Sequence, residues 1–103
     1  MLARAVIYRI HIANIPARTL AEWAHARKLS GTVTEAVGCG EWGIEQTAVL
    51  EIAADGNVFT CRTVKCLIET LLAERGEKCA YVALNGCRAE LWNADGSCSI
   101  IST

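Results

Sequence analysis

The sequence has no apolar run long enough to cross a bilayer, and Arg4 and Arg9 interrupt its N-terminus where a secretory signal would need an apolar core. We therefore expect a cytoplasmic protein that makes no contact with membranes. An excess of one charge is lacking too, because ten basic and eleven acidic side chains leave a net charge of −1. This near-neutrality argues against direct binding of nucleic acid and permits self-association.

Catalytic and ligand-binding motifs are also lacking. The chain contains no G-x-S-x-G, no P-loop and no G-x-G-x-x-G, and no nucleophile stands beside a recognisable base. We therefore expect no catalytic residues, no enzymatic activity and no cofactor.

The six cysteines include no C-x-x-C pair, and only two histidines accompany them. Zinc sites usually show closely spaced pairs of ligands, so we expect no metal. In the cytoplasm, reduced cysteines that pack as small apolar residues are the favoured interpretation. Cys66 is expected to be the most exposed, because it falls off the apolar stripe of its predicted helix, and its thiol is expected to be unreactive.

The spacing of apolar residues predicts most of the secondary structure. Strands are predicted over residues 4–13, 32–37, 44–54, 78–84, 87–92 and 97–102, and helices over residues 19–29 and 60–75. Thr19 and Glu22 fit a capping box for the first helix, and Gly76 suits the position after the second. Asn85-Gly86 predicts a hairpin with a type I′ turn.

This order of elements, β-α-β-β-α-β followed by a C-terminal hairpin, predicts a single α+β domain over residues 1–103. We expect a two-layer ferredoxin-like sandwich with the hairpin as an extension. Both helices would cover one face of a mostly antiparallel sheet, and the other face would be open to water, a ligand or a partner.

Trp42 and Glu45 are the first candidate binding residues. Trp42 stands among glycines, where the backbone of a partner can approach and a tryptophan can anchor an interface. The alternative is that Trp42 closes one end of the core.

Arg9, His11 and Glu51 are the other candidates. Together with Glu45 and Thr47 they would gather on the open sheet face if the first and third strands are neighbours. A histidine near carboxylates can do acid–base work. The alternative is a solvated face with weak cross-strand ion pairs. RNA binding is rejected, because the first strand offers only Tyr8, on its core side.

The chain resembles a family of small phage and mobile-element proteins. The residues that carry the resemblance are Thr34, the G-x-W-x-G-like stretch GEWGIE at 40–45, Glu51-Ile52, the helix 64–75 and the strand 78–84. The spacing after Trp42 is shorter than in the family pattern, and Glu77 stands where the family has glutamine. The resemblance spans residues 6 to 84.

The resemblance implies a genetic setting and no activity. Mobile elements encode many small proteins that bind host machinery, and inhibitors of bacterial immunity such as anti-CRISPR proteins are one group. The leading hypothesis is therefore a non-enzymatic viral interaction protein that binds a bacterial host protein, with inhibition of a defence complex as its specific form.

Two further expectations concern ligands and assembly. The alternative function is an ACT-like small-molecule sensor, suggested by the element order and by Gly38, Gly40 and Gly43. We also expect a homodimer formed through the open sheet face or a sheet edge, with a monomer as the alternative.

Overall fold

A computed structural model describes residues 5–41, 43–85 and 88–101, with Val58 described by its backbone alone. The elements in chain order are β1 (Ala5–Ala13), α1 (Ala17–Ala26), β2 (Gly31–Gly40), β3 (Gly43–Asp55), α2 (Val58–Arg75), β4 (Cys79–Leu84), β5 (Arg88–Asn93) and β6 (Cys98–Ile100).

The six strands form one antiparallel sheet in the order β2-β3-β1-β4-β5-β6. Both helices pack on one face of this sheet, and the hydrophobic core lies between the helices and that face. That core consists of Tyr8, Ile10, Ile12, Ile15, Leu20, Ala24, Ala48, Leu50, Ile52, Val64, Ile68, Leu71, Leu72, Ala80, Val82 and Trp92. Side chains alternate along strands, so successive residues of each strand point to the helix-covered side and to the opposite side.

The prediction of a ferredoxin-like β-α-β-β-α-β sandwich is wrong, and so is the description of the C-terminal hairpin as an extension of it. The sheet has six strands, and β5 and β6 widen it directly beside β4. The reason lies in the core: Trp92 of β5 is 2% exposed and packs against Tyr8 of β1, with ring centroids 5.8 Å apart. The C-terminal strands are therefore part of the packed structure.

Helix α1 begins earlier than predicted, and the capping-box prediction is wrong. Pro16 precedes the helix with φ −64° and ψ 142°, and its carbonyl accepts from the amide of Leu20 at 3.1 Å. Proline's fixed φ suits a helix start. Glu22 pairs with Arg18 at 3.1 Å instead of reaching back to Thr19. The helix ends at Ala26, and Lys28 follows in the left-handed conformation with φ 60°.

Helix α2 agrees with the sequence prediction except that it begins two residues earlier. Asn57 caps it by accepting a hydrogen bond from the amide of Phe59 at 2.8 Å. Gly76 ends it with φ 70°, a conformation that side chains with a Cβ disfavour. The predicted apolar stripe of this helix contributes four fully or almost fully buried residues to the core: Val64, Ile68, Leu71 and Leu72.

The hairpin of β2 and β3 is longer than predicted. Strand pairing continues without interruption from Gly31 opposite Ile52 to Gly40 opposite Gly43. Gly38 and Gly40 therefore lie within β2, and Gly43 begins β3. Trp42 lies outside the described residues.

In the C-terminal hairpin, the register pairs Leu84 with Arg88. The expected type I′ turn includes Gly86, which lies outside the described residues, as do Cys87, Ser102 and Thr103. The amide of Asn85 donates to the carbonyl of Ile7 at 2.9 Å, and its side-chain oxygen accepts from the amide of Ile7 at 2.8 Å. This pair of bonds ties the turn to the start of β1.

Candidate functional site

The side of the sheet opposite the helices is the candidate site, here called the open face. It consists of the odd-numbered positions of β1, β3, β4, β5 and β6 and the even-numbered positions of β2, as the strand register requires. Both described helices pack on the other side.

The open face has few charges. Its charged side chains are Arg9, Glu45, Glu51 and Asp55. Arg9 and Glu51 are directly opposite one another on β1 and β3 and pair at 3.2 Å. Asp55 lies at the end of β3, where it accepts from the amide of Asn57 at 3.0 Å. Glu45 is therefore the carboxylate of this face for which the described residues show neither a salt bridge nor a hydrogen bond to its side chain.

Most of the remaining open-face side chains are apolar or uncharged. Val49 and Thr47 are buried, at 6% and 7% exposure, although no helix covers them. Ile7 and Tyr81 are 41% and 43% exposed. A strand face that meets only water usually carries polar residues, whereas the core of a protein interface is depleted of charge and enriched in aromatics. The composition of this face therefore resembles the core of a protein interface more than a strand face that meets only water.

A concavity of about 360 Å³ lies on the open face, toward the end of the sheet where β1 finishes at Ala13 and β4 begins at Cys79. The residues that line it come from five strands: His11, Ala13, Gly38, Cys39, Glu45, Thr47, Cys79, Tyr81 and Leu91. A volume of this size falls at the lower end of the range for small-molecule pockets, roughly 300–1,000 Å³.

His11 is the central polar group of this concavity. Its ring packs edge-on against Tyr81 of the neighbouring strand β4, with centroids 5.4 Å apart and planes at 77°. Burial lowers the pKa of His11 below its ordinary value, and the neighbouring Arg9 guanidinium lowers it further. The imidazole is therefore neutral at physiological pH, and it presents a hydrogen-bonding ring without a charge.

Gly38 sets the shape of the concavity at its β2 side. It lies directly opposite Glu45, and a Cβ at Gly38 would come within 2.7 Å of the hydroxyl oxygen of Thr47. Only glycine leaves room for Thr47 to sit between β2 and β1. Gly38 therefore allows close packing within a regular strand.

The structure brings together four of the five predicted binding residues. Arg9, His11, Glu45 and Glu51 all lie on the open face, because β1 and β3 are neighbours. His11 and Glu45 line the concavity, and the Arg9–Glu51 pair lies beside it. The fifth residue, Trp42, lies outside the described residues. Among the hydrogen bonds of the described part, none joins His11 to a carboxylate.

Sequence analysis missed the contributions of Tyr81, Cys79 and Leu91. The run KCAYVAL at residues 78–84 is almost continuously apolar, so spacing alone does not mark Tyr81 as a site residue. The available signal was the single aromatic hydroxyl of Tyr81 in the run, two positions from Cys79 and therefore on the same face. Their proximity to His11 depends on β4 pairing with β1, which local spacing does not encode.

The cysteines are distributed over both faces of the sheet and on α2. The structure describes Cys39, Cys61, Cys66, Cys79 and Cys98 as free thiols, with Cys39, Cys66 and Cys98 exposed. In the described ranges, no group of three or more cysteine, histidine or acidic side chains is arranged to hold a metal ion.

A second polar cluster lies on the helix side, away from the open face. Glu90 accepts from the indole of Trp92 at 3.0 Å and from the thiol of Cys98 at 3.1 Å, and it pairs with Arg88 at 3.0 Å. Burial opposes ionisation of Glu90, but these partners outweigh it and hold its pKa below the usual value. Burial and the Glu90 carboxylate raise the pKa of Cys98. This cluster connects β5, β6 and the core, and it is independent of the open face.

Within the described part of the chain, neither helix has the length and apolarity needed to span a membrane. Comparison with protein-family models, curated proteins and solved structures finds no match.

Proposed function

We propose that the protein is a small non-enzymatic interaction protein of a phage or other mobile element that binds a bacterial host protein through the open face. Inhibition of a host defence complex, in the manner of anti-CRISPR proteins, is its specific form. One observation carries the proposal: a broad sheet face that no described helix covers has its Arg9 and Glu51 charges paired with each other.

The chemistry of the open face indicates what its partner should present. Ile7, Tyr81 and Leu91 offer apolar and aromatic contact area, and neutral His11 offers a ring nitrogen. Glu45 is the group that would gain a charge-assisted bond from a partner lysine, arginine or backbone amide. The matching surface is therefore apolar, with a single donor near its margin.

The proposed location is the cytoplasm. The free, partly exposed thiols of Cys39, Cys66 and Cys98 support it, because such thiols are typical of a reducing compartment.

An affinity pull-down from a bacterial lysate tests this proposal when open-face and control variants are compared. We expect the wild type to recover one stoichiometric partner and Leu91→Lys to lose it, because the lysine replaces apolar contact area of the open face with a charged side chain. Phe59→Ser is the matched control, since Phe59 is 76% exposed on α2 and lies away from the open face. Recovery of the same partner by Leu91→Lys, or recovery of no stoichiometric partner by the wild type, contradicts the proposal.

A small-molecule sensor is the second candidate, supported by the concavity of about 360 Å³ with His11, Thr47 and Glu45 among its lining groups. The ACT-like form of this hypothesis loses its basis because the sheet has six strands. A thermal-shift screen with amino acids and nucleotides tests the rest. A ligand at a hundredfold excess over its Kd stabilises the folded state by about 2.7 kcal/mol. A screen without any shift removes this candidate.

A further inference from the structure

The two edges of the sheet differ strongly in length. β6 has three residues, whereas β2 has ten, and β2 pairs with β3 without a bulge. Natural proteins protect edge strands with proline, charged side chains, bulges or short length. Of these, β2 has a single charged residue, Glu35, among its ten residues. The outer edge of β2 is therefore a long, regular template for another strand.

Exposed apolar side chains accompany this edge. Val37 is 74% exposed and Ile44 is 79% exposed, and the register places both on the helix side of the sheet near the tip of the hairpin. They line a concavity of about 380 Å³ together with Glu35 and Gln46. Large apolar side chains with this exposure at a strand edge favour contact with another molecule.

We propose that two copies of the chain pair antiparallel through their β2 strands, about a two-fold axis that passes beside Ala36. A two-fold axis perpendicular to the sheet pairs the central residue with its own copy, because both side chains must point to the same face. The midpoint of β2 falls between Glu35 and Ala36. Only a two-fold axis beside one of these two residues therefore pairs nearly the whole of β2 with its copy.

Charge selects between the two centres. An axis at Glu35 places two carboxylates directly opposite, which is destabilising in a sheet. An axis at Ala36 places Glu35 opposite the partner subunit's Val37 and Thr34 opposite the partner subunit's Gly38. No like charges face one another directly in that arrangement.

The Ala36 register also covers the exposed tip of the hairpin. It places Cys39 opposite the partner subunit's Val33. In a single chain, Val33 lines a concavity with Ala21, Ala24 and Leu29 at the junction of α1 and β2. Val37 and Cys39 of one copy thus approach the α1 side of the other, and symmetry repeats the contact. The net charge of −1 opposes this association only weakly.

The test begins with the mass in solution. Light scattering of the full chain is expected to give twice the 11.1 kDa mass of one chain. The measurement is made at roughly micromolar concentration, because association depends on concentration. Val37→Glu is expected to give the mass of a single chain, because the register places it opposite the partner subunit's Glu35, and like charges directly opposite one another destabilise a sheet. Phe59→Glu is the matched control and should remain a dimer. A monomeric wild type, or a dimer that survives Val37→Glu, overturns the proposal.

Cysteine crosslinking tests the register separately. Ala36→Cys should form an intermolecular disulfide with its own copy on mild oxidation, because the two Cα atoms would lie about 4.5–5.5 Å apart. Thr34→Cys is the control, since the register separates the two copies of position 34 by four residues along the strand. Peptide mass spectrometry distinguishes these bonds from those of the native cysteines. Crosslinking at 34 but not at 36 overturns the register.

Leu91→Lys distinguishes this proposal from the proposed function. The variant changes the open face and leaves β2 intact, so it should lose the host partner and keep the dimer. If Leu91→Lys produces the monomer and Val37→Glu does not, the copies meet through the open face and the β2 pairing is wrong.

Discussion

At the scale of single residues, Gly38 shows how one missing side chain shapes the candidate site. Thr47 is 7% exposed although it lies on the open face, and its hydroxyl occupies the space that a Cβ of residue 38 would need. The backbone of β2 can therefore run close to Thr47 while Glu45 lines the concavity beside it. The close packing and the concavity have the same cause.

The first prediction concerns this pair. Gly38→Ala should lower the free energy of unfolding by about 1–3 kcal/mol, the usual cost of forcing an extra group into a packed site. Urea denaturation measures the loss. Thr47→Ala removes the obstructing hydroxyl, so the two substitutions should couple, and the double variant should lose less than the sum of the single losses. Additive losses would show that Thr47 is not the obstacle.

At the scale of elements, α2 shows a helix whose ends are determined locally. Asn57 supplies the cap, and its own amide donates to Asp55, so two side chains organise the turn between β3 and α2. At the other end, the amide of Glu77 donates to the carbonyl of Leu72 at 2.9 Å after Gly76 has turned into the left-handed region. These signals are short in sequence, and most of this helix could be predicted for that reason.

The second prediction follows from the cap. Asn57→Ala should cost about 1 kcal/mol of stability because the amide of Phe59 loses its acceptor. Asn57→Ser should retain most of that stability, since serine is a comparable capping residue. Thermal unfolding followed by circular dichroism compares the three proteins. Equal losses for alanine and serine would show that the cap contributes nothing.

The element boundaries that the sequence analysis missed have physical reasons. The positions of Thr19 and Glu22 in the sequence fit a capping box, but α1 begins after Pro16, whose backbone is fixed, and therefore two residues before the predicted start. The second strand was predicted to end at residue 37, yet β2 continues through Gly38 to Gly40, and Gly38 packs closely against Thr47. The first miss is a competition between two local signals, and the second depends on packing against a neighbouring strand.

At the scale of the whole molecule, the spacing of residues predicted which side chains share a face of a strand better than it predicted which strands are neighbours in the sheet. Alternation placed Arg9 and His11 on one side of β1, and the structure confirms that shared face. It did not reveal that β5 and β6 widen the same sheet, because pairing between strands is a non-local choice. Likewise, Tyr81 contacts His11 only because β4 pairs with β1.

The stability of the whole molecule should depend on pH through His11. In the folded protein the pKa of His11 lies below the ordinary value of 6.5, because burial and the Arg9 guanidinium disfavour the charged ring. Between that value and the lower folded pKa, the unfolded chain binds a proton that the folded chain does not, so stability falls as pH decreases. The groups around the ring are Arg9, Tyr81, Glu45 and the thiol of Cys79.

The third prediction is that His11→Gln flattens this dependence. Urea denaturation from about pH 7 to about pH 5 should show the wild type losing stability through the range where histidine titrates, and the variant losing less. His25→Gln is the matched control, because His25 is exposed on α1, and its profile should follow the wild type. Glutamine cannot take up the proton, so the difference between the profiles isolates the ring of His11. If His25→Gln flattens the profile and His11→Gln does not, protonation of the buried ring on the open face is not what destabilises the fold.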